Sequence, residues 1–538
     1  MISGNLIDIF ERTIYPAEIE IENGRIRKIK RKERNEEFYI IPGLIDSHIH
    51  IESSMCTPGS FSEEAVSRGT TAVVSDPHEI ANVLGIAGVN FMIEDGLKVP
   101  LKFFFGAPSC VPATPFETSG AEIGINDIDM LLSKPEIKYL AEMMNFPGVI
   151  YEDKDVLSKI KIAHKYKKPV DGHAPGLSGD NLRKYIEAGI STDHECVTLE
   201  EAKEKIGLGM KVMIREGSAA RNLDSLKELI RTNPDMVMLC SDDLHPEMLA
   251  RRHIGLLVAQ LVNEGFDLFD VIRLCTLNPT RHYKLETGLL REGDPADFII
   301  VDTPYRMNVL ETWINGEKVF DRGKLLYEYK GGTPANKFNC SEITTQQISV
   351  KISGNQIRVI EAFDGQIFTK EVIVPVRNDS FITQNPSEDL LKIVVKDRYN
   401  DSSLAVGFIK GFGLKKGAFA SSVAHDSHNI ICVGTNDNDI VNAINAIIKL
   451  RGGLSVAAGS NIETLSLPIA GIMSDRPVKE IAGKYEILSG IVKELGCQLE
   501  APFMTLSFMA LLVIPELKLS DRGLFDSKQF KFVPLTVS

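Results

Sequence analysis

Between Pro42 and Lys284, eight short apolar runs alternate with longer segments of helical periodicity, the pattern of a parallel α/β fold. The runs are Leu44–Ile49, Thr70–Ser75, Leu101–Phe105, Ile137–Leu140, Pro169–Gly172, Gly189–Thr192, Met210–Ile214 and Met236–Cys240. Eight strands in roughly 240 residues fit a (β/α)8 TIM-type barrel.

The texture differs on either side of this block. Ile19-Glu20-Ile21, a turn at Glu22-Asn23-Gly24 and the alternating Arg25–Ile29 read as a hairpin. The same texture returns at Ala296–Val301, then at Thr312-Trp313-Ile314, the turn Asn315-Gly316 and Lys318-Val319-Phe320. The two pieces are expected to form one composite β domain, residues 1–41 plus 285–332, interrupted by the barrel at 42–284. After Gly331-Gly332-Thr333-Pro334 a C-terminal α+β domain is expected over 333–538. Strands are predicted over Gln347–Val359 and Glu371–Val376, and a helix over Asp439–Leu450, closed by a Gly pair, packs its apolar face on that domain's core. A chain of 538 residues is too long for one core in any case.

Charge and composition exclude several classes. A formal charge of −13 lacks the basic footprint of non-specific nucleic-acid binding, although a free base carries no phosphate and stays possible as a substrate. The apolar stretch Thr505–Ile514 is too short to span a bilayer and is closed by Pro515. Met1-Ile2-Ser3-Gly4-Asn5 has no signal-peptide character, and the eight cysteines contain no C-x-x-C pair. These features predict a cytoplasmic protein with no membrane or nucleic-acid partner.

The chemistry starts at Pro42-Gly43-Leu44-Ile45-Asp46-Ser47-His48-Ile49-His50. Positions two apart on a strand face one side, so His48 and His50 point into the barrel at the end where barrel active sites lie. A bare His-x-His is as readily two unrelated polar residues. Here it has companions at later strand ends: Glu142 after the fourth strand, His173 after the fifth, His194 after the sixth and Asp242 after the eighth. Chance explains one or two such placements but not the set, and imidazole with carboxylate donors suits a divalent transition metal. Arg215 and Glu216 close the seventh strand, either as functional groups or as an ion pair. His164 reads as a solvated surface residue, and His253 and His282 as structural. His425, Asp426 and His428 read first as a polar loop of their own domain, with covering the substrate as the alternative.

The Pro42–His50 run and the segment Gly288–Asp297 resemble the signature of the amidohydrolase superfamily. Within it, Asp76-Pro77-His78-Glu79-Ile80-Ala81-Asn82-Val83, Glu142-Met143-Met144-Asn145, Asp171-Gly172-His173-Ala174-Pro175 and Ser241-Asp242-Asp243-Leu244-His245-Pro246 resemble the adenine deaminase family. That resemblance runs through the whole chain, including His425-Asp426-Ser427-His428-Asn429. It implies a centre of two divalent ions, manganese or iron first and zinc as an alternative. His48, His50 and Asp242 would hold one ion and His173 and His194 the other. Glu142 would bridge them where several relatives use a carboxylated lysine; the Ala141–Asn145 turn contains no Lys.

The implied reaction is attack of activated water on C6 of adenine, with Asp242 carrying the proton to the leaving amine and hypoxanthine and ammonia as products. His78, Glu79, Asp243 and His245 are the candidates for binding the purine. Base-flipping zinc deaminases rely on a P-C-x-x-C element, which this chain lacks. A related amidohydrolase acting on a cyclic or acyl amide would share the same ligands. A non-catalytic binding protein would have no use for six of them. Homo-oligomerisation is the default expectation.

Overall fold

The computed structural model describes residues 2–218, 220–332, 335–351, 353–376 and 381–537. The chain opens with β1 (Ile2–Asp8), β2 (Thr13–Glu22), β3 (Arg25–Arg31) and β4 (Tyr39–Pro42). Eight parallel strands follow: β5 (Leu44–Ile49), β6 (Thr70–Ser75), β7 (Lys102–Ala107), β8 (Ile137–Met143), β9 (Val170–Gly172), β10 (Thr192–Asp193), β11 (Lys211–Arg215) and β12 (Val237–Cys240). The chain then returns through β13 (Phe298–Val301), β14 (Val309–Ile314), β15 (Glu317–Asp321) and β16 (Lys324–Leu325).

The outer strands form one sheet in the order β16-β15-β14-β13-β4-β1-β2-β3, with Ile41 opposite Ile299 at the join of the two pieces. Both expected Asn-Gly turns form, with positive φ at Asn23, Gly24, Asn315 and Gly316. They also abut. A Cβ on Gly316 would fall 2.9 Å from the Gly24 Cα, so neither glycine tolerates a side chain there.

The α/β barrel is built as two arcs, β5-β6-β7-β8-β9 and β10-β11-β12. Single parallel bridges, Val170 to Ile190 and Ile49 to Asp242, link the arcs. Every residue of β5 and β6 is buried, because helices cover one face and the barrel interior the other. Ile45, Val74, Phe104, Tyr139, Met213 and Met238 belong to one buried cluster of barrel-strand side chains. Two strands depart most from the expected bounds. The fourth strand runs on to Met143, so Glu142 lies within it rather than after it. The sixth starts at Thr192, because Gly189 adopts φ +102° in the turn that precedes it.

The C-terminal region contains a sheet of Gln356–Ala362, Thr369–Pro375, Leu391–Lys396, Leu404–Lys410, Ala418–Ser421, Ile430–Gly434, Gly453–Ala458 and Asn461–Ser466. The single strand expected over Gln347–Val359 is instead a 3-10 turn at Thr345–Ile348 and two separate strands, Val350–Lys351 and Gln356–Ala362; Ile352 lies outside the described residues, as do Thr333 and Pro334. The expected helix begins two residues earlier, over Asp437–Leu450, because Asn436 caps the Asp439 N–H at 2.9 Å. It buries Ile440, Ala443, Ile444 and Ile447. Among the described residues no helix is long and apolar enough to cross a membrane.

Candidate metal centre at the barrel mouth

The seam between β5 and β12 assembles the first group of donors. Asp242 N–H donates to the His48 carbonyl at 3.0 Å, and His50 N–H donates to the Asp242 carbonyl at 3.2 Å. Asp242 turns sharply here, with φ +55°, which Asp tolerates better than most residues. Asp46 secures the seam from below: it accepts from Ser241 N at 3.0 Å and pairs with His253 Nε2 at 2.9 Å. That gives His253 the structural role expected of it.

The ligating atoms of this group converge. His50 Nε2 is 3.2 Å from both His48 Nε2 and Asp242 Oδ1, and His48 Nε2 is 3.5 Å from Asp242 Oδ1. His50 Nδ1 faces the Asp76 carbonyl at 3.2 Å, which fixes the tautomer and leaves Nε2 free to ligate. A second group lies beside it. Glu142 Oε2 is 2.9 Å from His173 Nδ1 and 3.2 Å from His194 Nε2, while Oε1 faces His50 Nε2 at 3.5 Å. The two oxygens of one carboxylate thus address the two groups. Donors bound at about 2.0–2.2 Å to a common ion stand roughly 3.0–3.5 Å apart, which is the spacing seen. His173 also keeps Nε2 buried without a hydrogen-bond partner.

The charge balance fits cations. Burial opposes ionisation of Glu142, yet His173 and His194 outweigh it and hold the carboxyl well below its usual range. Burial likewise opposes ionisation of Asp242, and Arg215, His48 and His50 overcome it. In return Asp242, Asp243 and Glu142 overcome burial and His78 to drive the His50 imidazole well above its usual range. Imidazoles kept protonated by buried carboxylates are sites where a divalent cation can replace protons.

Two further residues belong here. Glu195, next to His194, has Oε1 3.4 Å from His194 Nε2 and 3.6 Å from His173 Nδ1. Arg215 clamps both Glu195 oxygens and donates to Asp242 Oδ2 at 2.8 Å. Of the two residues closing the seventh strand, Arg215 faces the centre, whereas Glu216 caps the Leu223 N–H at 3.2 Å.

A small cavity lies above the centre. His78, Glu79 and Asp243 line it. His78 Nδ1 lies 3.1 Å from Asp76 Oδ2 and 3.4 Å from Glu142 Oε1, and Ser53 Oγ donates to Asp243 Oδ1 at 2.5 Å. His245 is buried against Tyr485, ring centroids 4.8 Å apart, and is not one of the lining side chains.

The C-terminal region forms the rest of the wall through Ile367, His425, Asp426, Phe508 and Leu511. The 425–428 segment is therefore not a polar loop of its own domain. Glu79 is gripped by His425 Nδ1 and, at 2.5 Å, by His428 Nε2, and the His425 ring stacks on Phe508 at 4.7 Å. Covering the substrate was the alternative for this polar run, with its two histidines three apart as the local signal. Nothing local says where such a loop docks.

Residues 39–319 match the model of the Amidohydrolase family, and residues 366–531 match that of the Adenine deaminase C-terminal domain. The chain is 52% identical to an adenine deaminase of Methanosarcina mazei, over 99% of this chain and 98% of that protein. An adenine deaminase of Salinibacter ruber is 50% identical over 99% of this chain and 98% of its own length. One of Borreliella burgdorferi is 47% identical over 99% of each.

Proposed function

The chain belongs to the adenine deaminase family of amidohydrolases, and we propose that the centre at its barrel mouth converts adenine and water to hypoxanthine and ammonia. It is a hydrolase of a C–N bond, and its substrate is a small molecule. His48, His50 and Asp242 would hold one divalent ion and His173 and His194 the second, with Glu142 serving both. Manganese or iron is the expected metal, with zinc as the alternative. Bound there, the ions supply Lewis acidity and make water a nucleophile near neutral pH.

The chain's own groups then manage the protons. The two hydrogens of water must end on the leaving amine and on N1. Asp242, kept ionised by Arg215, takes the first and delivers it to the amine. His78 and Glu79 line the cavity beside the centre and are positioned to serve N1, while Asp243 flanks the substrate. Arg215 also neutralises Glu195, so a second buried carboxylate does not repel Asp242's negative charge.

The observation that carries this reading is Glu142, a buried strand carboxylate with each oxygen directed at a different set of imidazoles. The test is the ultraviolet change of adenine, with ammonia release, on metal-stripped enzyme and after return of manganese. Hydantoins and N-acetyl sugars are run in parallel. Conversion of adenine only after metal return is expected. Turnover confined to a cyclic or acyl amide would replace adenine as substrate and leave the metal assignment intact.

A further inference from the structure

Within the turn that the C-terminal region lays over the barrel mouth, one side chain is left without a partner. His428 N–H donates to the Ala424 carbonyl at 2.7 Å, and Ala424 N–H donates to His428 Nδ1 at 3.2 Å. His428 Nδ1 is therefore an acceptor, and Nε2 stands 2.5 Å from Glu79 Oε2. Tyr399 OH donates to the Ser427 carbonyl at 2.6 Å, and Asn429 Nδ2 reaches the Thr118 carbonyl of the barrel at 2.8 Å. His425 is held by Glu79 and Phe508. The Asp426 carboxylate is not tied down. Among the described residues its buried Oδ2 has no hydrogen-bond partner, and His78 Nε2 stands 3.9 Å from Oδ1.

A buried carboxylate with an unmet acceptor carries a desolvation penalty that a ligand's N–H can offset. Asp426 lines the same cavity as the metal centre, beside the apolar Ile367, Phe508 and Leu511. The His78 ring spans the gap to that centre, with Nδ1 3.4 Å from Glu142 and Nε2 3.9 Å from Asp426. Adenine carries two kinds of N–H donor. The exocyclic amine must face the metal centre to leave, so the imidazole-ring N–H is the donor available on the opposite side.

Resting on the adenine reading above, we propose that Asp426 is a substrate-binding residue that accepts the imidazole-ring N–H of the base. The C-terminal region thereby selects the free base over an N-substituted one. Burial and Glu79 raise the Asp426 carboxyl, with His78 and His425 opposing, to about 6, so it is an anionic acceptor at neutral pH. A nucleoside or N-methyl base has carbon where the donor was, and leaves the carboxylate buried and unmet. Sites built around one hydrogen bond discriminate strongly against analogues that lack it.

The test compares the manganese-loaded wild type with Asp426→Asn and Asp426→Ala, using adenine, 7-methyladenine and 9-methyladenine as substrates. Hypoxanthine binding is measured directly by calorimetry, and metal content by elemental analysis. The expected result is a kcat/KM for adenine lower by roughly 10- to 100-fold, carried mainly by KM, with hypoxanthine binding weakened to match. The preference for adenine over the methylated bases should shrink by a similar factor, with metal content unchanged. A wild type active on adenine beside variants with unchanged KM and unchanged preference overturns the proposal alone. Loss of metal in the conservative Asp426→Asn also overturns it, by making Asp426 a ligand. A metal-loaded wild type with no adenine turnover overturns the adenine reading itself.

Discussion

The two halves of the cavity wall are built by different means. On the barrel side, His48, Glu142, His173, His194 and Asp242 sit on strands or at the first residues after them, and seam hydrogen bonds tie Asp242 to His48 and His50. On the C-terminal side, His425, Asp426 and His428 sit in a turn between the strands Ala418–Ser421 and Ile430–Gly434, located by its grip on Glu79. The barrel side concentrates charge, and the C-terminal side contributes apolar wall and one unmet acceptor. A rigid scaffold suits bond-making chemistry, where small displacements are costly, and a docked turn suits recognition.

If that division is right, damage on the barrel side strikes kcat and damage on the C-terminal side strikes KM. The largest effect is expected for Asp242→Asn, with kcat down by up to about 10⁴-fold, measured by steady-state adenine turnover. A variant with kcat intact would remove Asp242 from the proton path and break the comparison at its strongest point.

Next is Arg215→Met, which leaves Glu195 and Asp242 buried with less positive charge. Removing one partner from a buried ion network costs about 3–5 kcal/mol. A urea midpoint unmoved from wild type would show that the metal, and not Arg215, neutralises these carboxylates.

The docking of the turn should depend on pH in both directions. Burial opposes protonation of His425, but Glu79, Asp243 and Asp426 outweigh it and raise it to about 9. Its folded value exceeds its unfolded one. Its contribution is therefore full below about 6.5 and is lost as pH rises through about 9. Burial depresses His428 to about 4 against the pull of Glu79, with His425 and Arg398 adding to the depression. Its contribution is present above about 6.5 and is lost as pH falls toward 4. Thermal stability of the wild type should therefore fall away on both sides of neutrality, and Glu79→Gln should flatten the alkaline limb. An unchanged alkaline limb in that variant would mean that the grip on Glu79 does not hold the turn.

The smallest effect is expected from Tyr185→Phe. Its hydroxyl donates to the Met143 carbonyl at 2.7 Å and accepts the His173 N–H at 3.1 Å, stitching the ends of β8 and β9. About 1–3 kcal/mol of stability should be lost, with metal content retained. A much larger loss of activity than of stability would show that the placement of His173 tolerates less movement than the barrel comparison implies.

The same contrast explains what could be read from the chain beforehand. Strand periodicity and the end of each apolar run located the six barrel residues, since alternation and the barrel's polarity are local rules. The split β sheet was readable because its Asn-Gly turns mark hairpins wherever they occur. Glu195 was passed over because it stands next to His194 and so belongs by alternation to the other face; β10 is two residues long and ends before alternation applies. For the 425–428 turn the chain leaves a loop of its own domain ahead of a cover over the substrate, because its partner, Glu79, lies 346 residues away and no periodicity encodes a contact of that range. Lys518 was equally invisible. Buried, and lowered by that burial to about 7, it donates to the carbonyls of Ile367 and Phe508, two cavity-lining residues.

Whether Glu142 joins two metal sites into one catalytic centre is decided by metal analysis of wild type and Glu142→Ala, purified alike and saturated with manganese, alongside adenine turnover. Two ions per chain are expected in the wild type. In the variant, metal should be lost and turnover should fall with it. A variant that keeps both ions and full turnover would contradict that role of Glu142.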